Sequence, residues 1–232
     1  MRGVRVVLAS ASPRRRELLM QVGFEPVVMP SHVEEVVKSR EPDVVVRDLS
    51  SRKAEDVAGR WMAGERLEVD GEGVEGLYDG REKEKPGKKE KEKDDTKGSE
   101  RVVVIGADTV VAVDGRILGK PGSRREAEEM IGLLQGREHQ VYTGVAMIFG
   151  DTGERVVFSE KTDVFVYPMS RNQIGAYVDT GEPMDKAGAY GIQGVFAAYI
   201  RGIEGDYNNV VGLPVGRVCQ ELMARDICLE GL

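Results

Sequence analysis

Apolar positions along this chain fall into two rhythms, short near-continuous runs and longer stretches that recur every three or four residues, which predicts strands interleaved with helices. Val4 to Ala9 reads as a buried strand. Ser12 and Pro13 then supply an N-cap and a first helical residue for a helix carrying the pattern from Glu17 to Val22, which Gly23 stops. Pro26 to Pro30 reads as a short strand leading into an acidic loop, Ser31 to Glu35. The next helix runs from about Asp43 to Met62, with Val46, Leu49, Val57 and Trp61 on one line and Lys53 in that line where an apolar residue is expected. Val102 to Val113 is a near-continuous apolar run, as of a central strand buried on both faces, with Gly106, Ala107 and Asp108 in its middle. Asp114-Gly115 signals a tight turn into Ile117-Leu118-Gly119-Lys120-Pro121, an arm expected to bring Lys120 back near Asp108.

Further on, Ser123 and Glu126 form a capping box for a helix with Met130, Leu133 and Leu134 inward, ended by Gly136. His139 to Phe149 and Arg155 to Tyr167 alternate as two strands around Gly150-Asp151-Thr152-Gly153, which sets Thr143, Gly144 and Asp163 toward a cleft. Ser170 caps a helix through Val178. Pro214 begins the last helix, with Val215, Val218 and Leu222 on one face. Between these patterned regions, residues 64–100 contain few large apolar side chains and a dense run of Lys and Glu from Arg81 to Asp95. A segment of that composition cannot bury enough surface to offset its ordering entropy, so a charged, disordered or loosely helical surface insertion is expected. Its alternating charges are also compatible with a partner-binding element.

Composition narrows the function. The chain has 232 residues, 41% of them hydrophobic, enough for one large domain or two lobes. A net charge of -7 argues against general nucleic-acid binding and for a small anionic ligand met by a local cationic cluster. Cys219 and Cys228 make no metal-ligand pattern, and His32 and His139 are far apart. No apolar run approaches a membrane span and no leader-like segment opens the chain, so a cytoplasmic protein is expected.

The local chemistry centres on Ser10-Ala11-Ser12-Pro13-Arg14-Arg15-Arg16. Three cations in a first helical turn are disfavoured by the helix dipole, by a few tenths to about 1 kcal/mol each, unless an anion binds there. A helix N-terminus, two hydroxyls and guanidinium forks make a polyphosphate site; the bland reading is a solvated basic turn with an ordinary cap. Lys53 reads as a snorkelling lysine or as a phosphate ligand at a cleft edge. Asp108, buried by its surroundings, needs a partner: Lys120, a hydroxyl, or a reaction.

Ser10 to Arg15, Gly106-Ala107-Asp108-Thr109, Gly119-Lys120-Pro121, Asp185-Lys186-Ala187-Gly188-Ala189-Tyr190 and Val211-Gly212-Leu213-Pro214, in this order, resemble the motifs of the Maf family of nucleoside triphosphate pyrophosphatases. The resemblance spans nearly the whole chain apart from residues 64–100, so residues 1–232 are expected to form a single Maf-like domain. It implies an α/β fold with a long twisted mixed sheet, flanking helices and two lobes around a cleft, often assembled as a homodimer. It also implies hydrolysis of a nucleoside triphosphate between the α and β phosphates with a divalent metal, Mg²⁺ or Mn²⁺. Asp108 is then the candidate base, with Glu34, in preference to Glu35, and Asp108 as metal ligands. Ser10, Ser12, Arg14, Arg15, Lys53, Thr109, Lys120, Lys186 and Gln193 become substrate-binding candidates. In the family Arg14, Thr109 and Gln193 fall on positions associated with nucleotide choice, and Gln193 in Gly191-Ile192-Gln193-Gly194 resembles the dTTP/UTP branch. The alternatives are a branch acting on 7-methyl-GTP or other modified nucleotides, a sugar-nucleotide nucleotidyltransferase, and a non-enzymatic nucleotide-binding regulator of cell division.

Overall fold

A computed structural model describes residues 4–69, 75–78 and 101–227. In chain order its elements are β1 (Val4–Leu8), α1 (Pro13–Gln21), β2 (Val27–Val28), α2 (Pro42–Met62), β3 (Arg66–Val69), β4 (Glu75–Tyr78), β5 (Arg101–Val113), β6 (Arg116–Leu118), α3 (Arg124–Leu134), β7 (Glu138–Phe149), β8 (Arg155–Val166), α4 (Arg171–Val178), β9 (Ile200–Glu204), α5 (Tyr207–Val211) and α6 (Val215–Met223). Seven strands form one mixed sheet in the order β2-β1-β5-β7-β8-β9, with β6 also paired to β5. β2, β1 and β5 are parallel, and the remaining pairs are antiparallel. The α/β class with a long mixed sheet is as the sequence predicts, and β5, bonded on both edges, is the central strand.

Side-chain alternation divides the core. Val103, Ile105, Ala107, Val111 and Val113 of β5 pack on one face with residues of α1, α3, α4 and α6. Val104 and Val110 face α2, which covers the other side with Val46, Leu49, Val57 and Trp61. The helix backbone rests directly on the sheet at two glycines. An ideal Cβ at Gly144 would overlap the Val46 carbonyl, and one at Gly106 would overlap the Ser50 carbonyl and lie 2.7 Å from Ala54 N.

Several local expectations are corrected. Met130 and Leu134 of α3 are buried, but Leu133 is exposed, because the inward line is Ala127, Met130, Ile131 and Leu134, the three-and-four spacing that Leu133 misses. Ser123 caps α3, yet the Glu126 carboxylate accepts from the N–H of Gly122 rather than of Ser123. Ser170 and Gln173, by contrast, form a complete capping box on α4. Within residues 64–100, where a disordered or loosely helical insertion is expected, β3 and β4 pair antiparallel, Arg66 opposite Tyr78. The Lys/Glu run from Arg81 to Asp95 lies outside the described residues. Among the described residues no helix is long and apolar enough to cross a membrane.

Candidate functional site

The site begins as a gap in one edge of β5. β1 pairs with β5 only as far as Leu8 opposite Ile105, and β6 resumes pairing on the same edge at Val111. After a last bond from Ala9 N–H to the Ile105 carbonyl (2.8 Å), the chain leaves the sheet through Ser10–Ser12 into α1. Residues 108–110, within that gap, face a cavity of about 740 Å³, walled by the β1–α1 turn, α2, the β5–β6 hairpin and the segment 185–194. That size is typical of small-molecule sites.

Asp108 shares its face of β5 with Val104 and Val110 and meets α2, where Lys53 stands in the inward line. Lys53 Nζ lies 2.6 Å from Asp108 Oδ1 and 2.6 Å from Glu35 Oε1, one ammonium shared by two carboxylates. Asp108 is 7% exposed. Desolvation raises its pKa above the ordinary carboxylate value, against the opposing pull of Lys53 and then Arg15. Glu35, nearer solvent, is shifted the other way, chiefly by its hydrogen bond to Lys53, with the charges of Lys53, Lys120 and Arg15 adding to it. Two carboxylates on one cation thus have their acidities pushed apart, as acid/base sites require.

Two placements correct the sequence reading. The partner of Asp108 is Lys53, not Lys120, which the hairpin sets on the cavity wall. Of the acidic neighbours, Glu35 enters the cavity while Glu34 is exposed away from it, its backbone carbonyl accepting from Arg52. A tight turn closed by Val36 N–H on the Glu34 carbonyl at 2.9 Å centres on Glu35, the one of the two carboxylates that meets Lys53. Thr143, Gly144 and Asp163 do not line the cleft either. Thr143 is fully buried, Gly144 packs on α2, and Asp163 pairs with Lys161.

The opposite wall is the start of α1. Ser12 is its N-cap residue, but its side chain makes no capping bond, and Pro13 has no N–H. The first helical bond is from Arg16 N–H to the Ser12 carbonyl at 3.3 Å, so the N–H groups of Arg14 and Arg15, two residues that line the cleft, precede it and are left for an anion. Arg14 and Arg15 have separate duties. Arg14 is one-third exposed and reaches across the cleft to Asp185, 3.5 Å away. Arg15 is committed to the protein: Nε donates to the Gly212 carbonyl (2.8 Å), one terminal nitrogen to Ser10 Oγ and the Ala107 carbonyl (2.9 Å each), and the other to Thr109 Oγ1 (3.1 Å). Burial lowers its pKa, with Asp108 opposing. Arg15 ties the turn after β1, the gap in β5 and the end of α5 into one frame, so it is a clamp rather than a free phosphate fork.

Thr109 lies within this clamp, 2.9 Å from Thr143 Oγ1, which donates to the Asn209 carbonyl at 2.9 Å. The Asn209 side chain in turn donates to Val141 and Thr162. Thr143 and Asn209 were legible in the sequence only as polar residues interrupting apolar periodicity.

The fourth wall carries Lys186 and Gln193. Lys186 Nζ is held by the Glu182 carbonyl at 2.7 Å and by Asp185 Oδ1 at 2.6 Å. Gln193 lines the cavity from an exposed position, and no hydrogen bond from a described residue fixes its amide. Ser10, Ser12, Arg14, Arg15, Lys53, Asp108, Thr109, Lys120, Lys186 and Gln193 therefore share one cavity, while Glu34 stays outside it.

The donor chemistry at Lys53 also fits a hard divalent cation. Asp108 and Glu35 already converge on a positive charge, and two carboxylates leave most coordination positions to water and phosphate oxygens, as Mg²⁺ prefers. Among the described residues no group of three or more His, Cys, Asp or Glu side chains gathers as a closed metal cage.

Comparison with known proteins agrees with this architecture. Residues 5–225 match the family described as Maf-like protein. The chain is 46% identical over 221 residues to a dTTP/UTP pyrophosphatase of Agathobacter rectalis, covering 94% of this chain and 95% of the relative. It is 47% identical over 218 residues to a dTTP/UTP pyrophosphatase of Symbiobacterium thermophilum, with coverage of 94% and 92%. A relative of the same name from Carboxydothermus hydrogenoformans is 40% identical over 219 residues, covering 94% of this chain and 97% of the relative. With one family matched across nearly its whole length and the motif residues gathered around one cleft, this chain belongs to the Maf family.

Proposed function

We propose that this protein hydrolyses dTTP and UTP, and modified pyrimidine nucleoside triphosphates of the same shape, to the nucleoside monophosphate and pyrophosphate. The observation that carries the reading is the pairing of buried Asp108 with Lys53 in the same cavity as the uncapped start of α1. The names of the relatives support the substrate and the reaction.

Phosphoryl transfer is mostly positioning and charge neutralisation. The triphosphate lies between the first-turn N–H groups of α1 and the cations Arg14, Lys120 and Lys186. A water oxygen attacks the α-phosphorus and gives its proton to the Asp108 carboxylate. The bond from that phosphorus to the bridging oxygen breaks, and pyrophosphate leaves with the electron pair, its charge met by the same cations. A carboxylate whose pKa is raised by burial is a better proton acceptor than an ordinary one. The positive charge of Lys53 opposes desolvation and so favours the ionised form of Asp108. A divalent cation, Mg²⁺ or Mn²⁺, held by Asp108 and Glu35, would neutralise phosphate charge and polarise the phosphate oxygens.

Gln193 reads the base. Its amide presents a carbonyl acceptor beside an N–H donor, complementary to the N3–H and O4 edge of uracil and thymine and mismatched to cytosine and adenine. Guanine shows a similar edge and is excluded by size. Competing-substrate kinetics test the reading: dTTP and UTP are preferred over CTP and ATP, and Gln193→Ala narrows the UTP/CTP ratio of kcat/KM more than it lowers kcat. Equal turnover of all four nucleotides by the native protein would contradict it.

A further inference from the structure

One carboxylate outside the cavity holds the loop that carries both Lys186 and Gln193. Glu182 opens a 3₁₀ turn, Glu182–Asp185, and does not line the cleft. Its Oε2 accepts the backbone N–H of Val195 at 2.7 Å, and its Oε1 accepts the Tyr177 hydroxyl at 3.1 Å and the Phe196 N–H at 3.5 Å. Val195 and Phe196 are the first residues of the next 3₁₀ turn, Val195–Tyr199, whose N-cap is Gly194 and which has no cap from its own N-cap side chain. Glu182 thus serves as a remote cap, thirteen positions back in the sequence from Val195. Behind it the Tyr177 and Phe196 rings pack at a tilt of 53°, their centroids 4.9 Å apart.

The two glycines around Gln193 make room for this arrangement. An ideal Cβ on Gly194 would overlap the Glu182 carboxylate, and one on Gly191 would lie 2.8 Å from Lys186 Cε. The stretch Gly191-Ile192-Gln193-Gly194 therefore seats a carboxylate at one end and a lysine stem at the other, with buried Ile192 beneath. Gln193, between them, is exposed, and what the seated backbone fixes is the point on the cavity wall from which its side chain starts.

We propose that Glu182 is a positioning residue for base selection, its carboxylate fixing the loop that aims Gln193 at the pyrimidine edge while touching no substrate itself. The inference rests on Gln193 reading the base. The seat of the loop sets how far and at what angle Gln193 reaches the base, so discrimination depends on how firmly the loop is held, and the ordering is built in before the nucleotide arrives.

The test compares native protein with Glu182→Ala, Glu182→Asp and Glu182→Gln, using UTP and CTP as competing substrates and a thermal melt of each variant. Native protein that fails to prefer UTP would refute the base-reading role of Gln193 itself. Given that preference, Glu182→Gln, whose amide oxygen still reaches Val195 N–H, keeps the UTP/CTP ratio of kcat/KM within about threefold. Glu182→Asp, too short to reach, and Glu182→Ala lower the ratio about tenfold or more, chiefly by raising KM for UTP. Losses of equal size for UTP and CTP in the Asp and Ala variants, or an unchanged ratio, would overturn the proposal. If Glu182→Ala does not melt cooperatively, the Gln and Asp variants decide: equal ratios in the two overturn the proposal, and a low ratio in Asp alone supports it.

Discussion

Lys53 Nζ and Asp108 Oδ1 stand 2.6 Å apart, an ammonium and a carboxylate both largely withdrawn from water. Neither could be there alone, because an unpaired buried charge costs several kcal/mol. The helical period of α2 and the alternation of β5 deliver the two groups to one point from residues 55 positions apart. The pair gives the cleft a carboxylate more basic than usual, held beside a cation.

Replacing Asp108 by Asn keeps the size and the acceptor for Lys53 but removes the proton acceptor. We expect kcat for UTP to fall by roughly a hundredfold or more with KM little changed, since general-base contributions are of that order. Pyrophosphate release at saturating UTP measures it, and near-normal turnover would remove Asp108 from the base role.

The contact between α2 and the sheet has no space for a methyl group at Gly144, where the Val46 carbonyl occupies the position of a Cβ. Gly144→Ala should therefore destabilise the protein by about 1–3 kcal/mol, the usual cost of overpacking, and lower kcat by displacing the helix that carries Lys53. Urea unfolding and a UTP assay on the same preparation check both effects. Native-like stability would show that the helix shifts freely.

His139 is fully buried with one ring nitrogen 2.7 Å from the Tyr190 hydroxyl and the other, Nδ1, without a partner among the described residues. Burial lowers its pKa from 6.5 to about 4, so the folded state holds it neutral while the unfolded chain takes up a proton first as pH falls. The associated stability is complete above the unfolded value of 6.5 and is lost on acidification toward 4. We expect about 2 kcal/mol less stability near pH 5 than near pH 7.5 from this one group. In urea unfolding His139→Gln should lose that part of the acid dependence, and an identical pH slope in the two proteins would contradict the assignment.

Much of the scaffold was legible because it follows local rules. The apolar run from Val102 to Val113 announced the central strand, the spacing of Val46, Leu49, Val57 and Trp61 announced α2 with Lys53 facing inward, and Ser170 announced α4. What was not legible depends on pairings between distant segments. Nothing local distinguishes Lys53 from Lys120 as the partner of Asp108, nor Glu35 from its neighbour Glu34 on a loop without periodicity. Leu133 was misplaced because it is apolar one step off the buried line. Glu182 gave only the weak signal of a charged residue before Pro183, since the N–H groups it caps lie more than a dozen residues downstream. The β3–β4 pairing was hidden by a polar composition, although Arg66-Leu67-Glu68-Val69 alternates as a strand does.

Water attacking the α-phosphorus beside Asp108 leaves its oxygen on the nucleoside monophosphate. Hydrolysis of UTP with Mg²⁺ in oxygen-18-enriched water, followed by phosphorus NMR of the products, tests it most directly. We expect UMP and pyrophosphate in equal amounts, with the label on the UMP phosphate. UDP and orthophosphate, or label carried by the pyrophosphate, would contradict it.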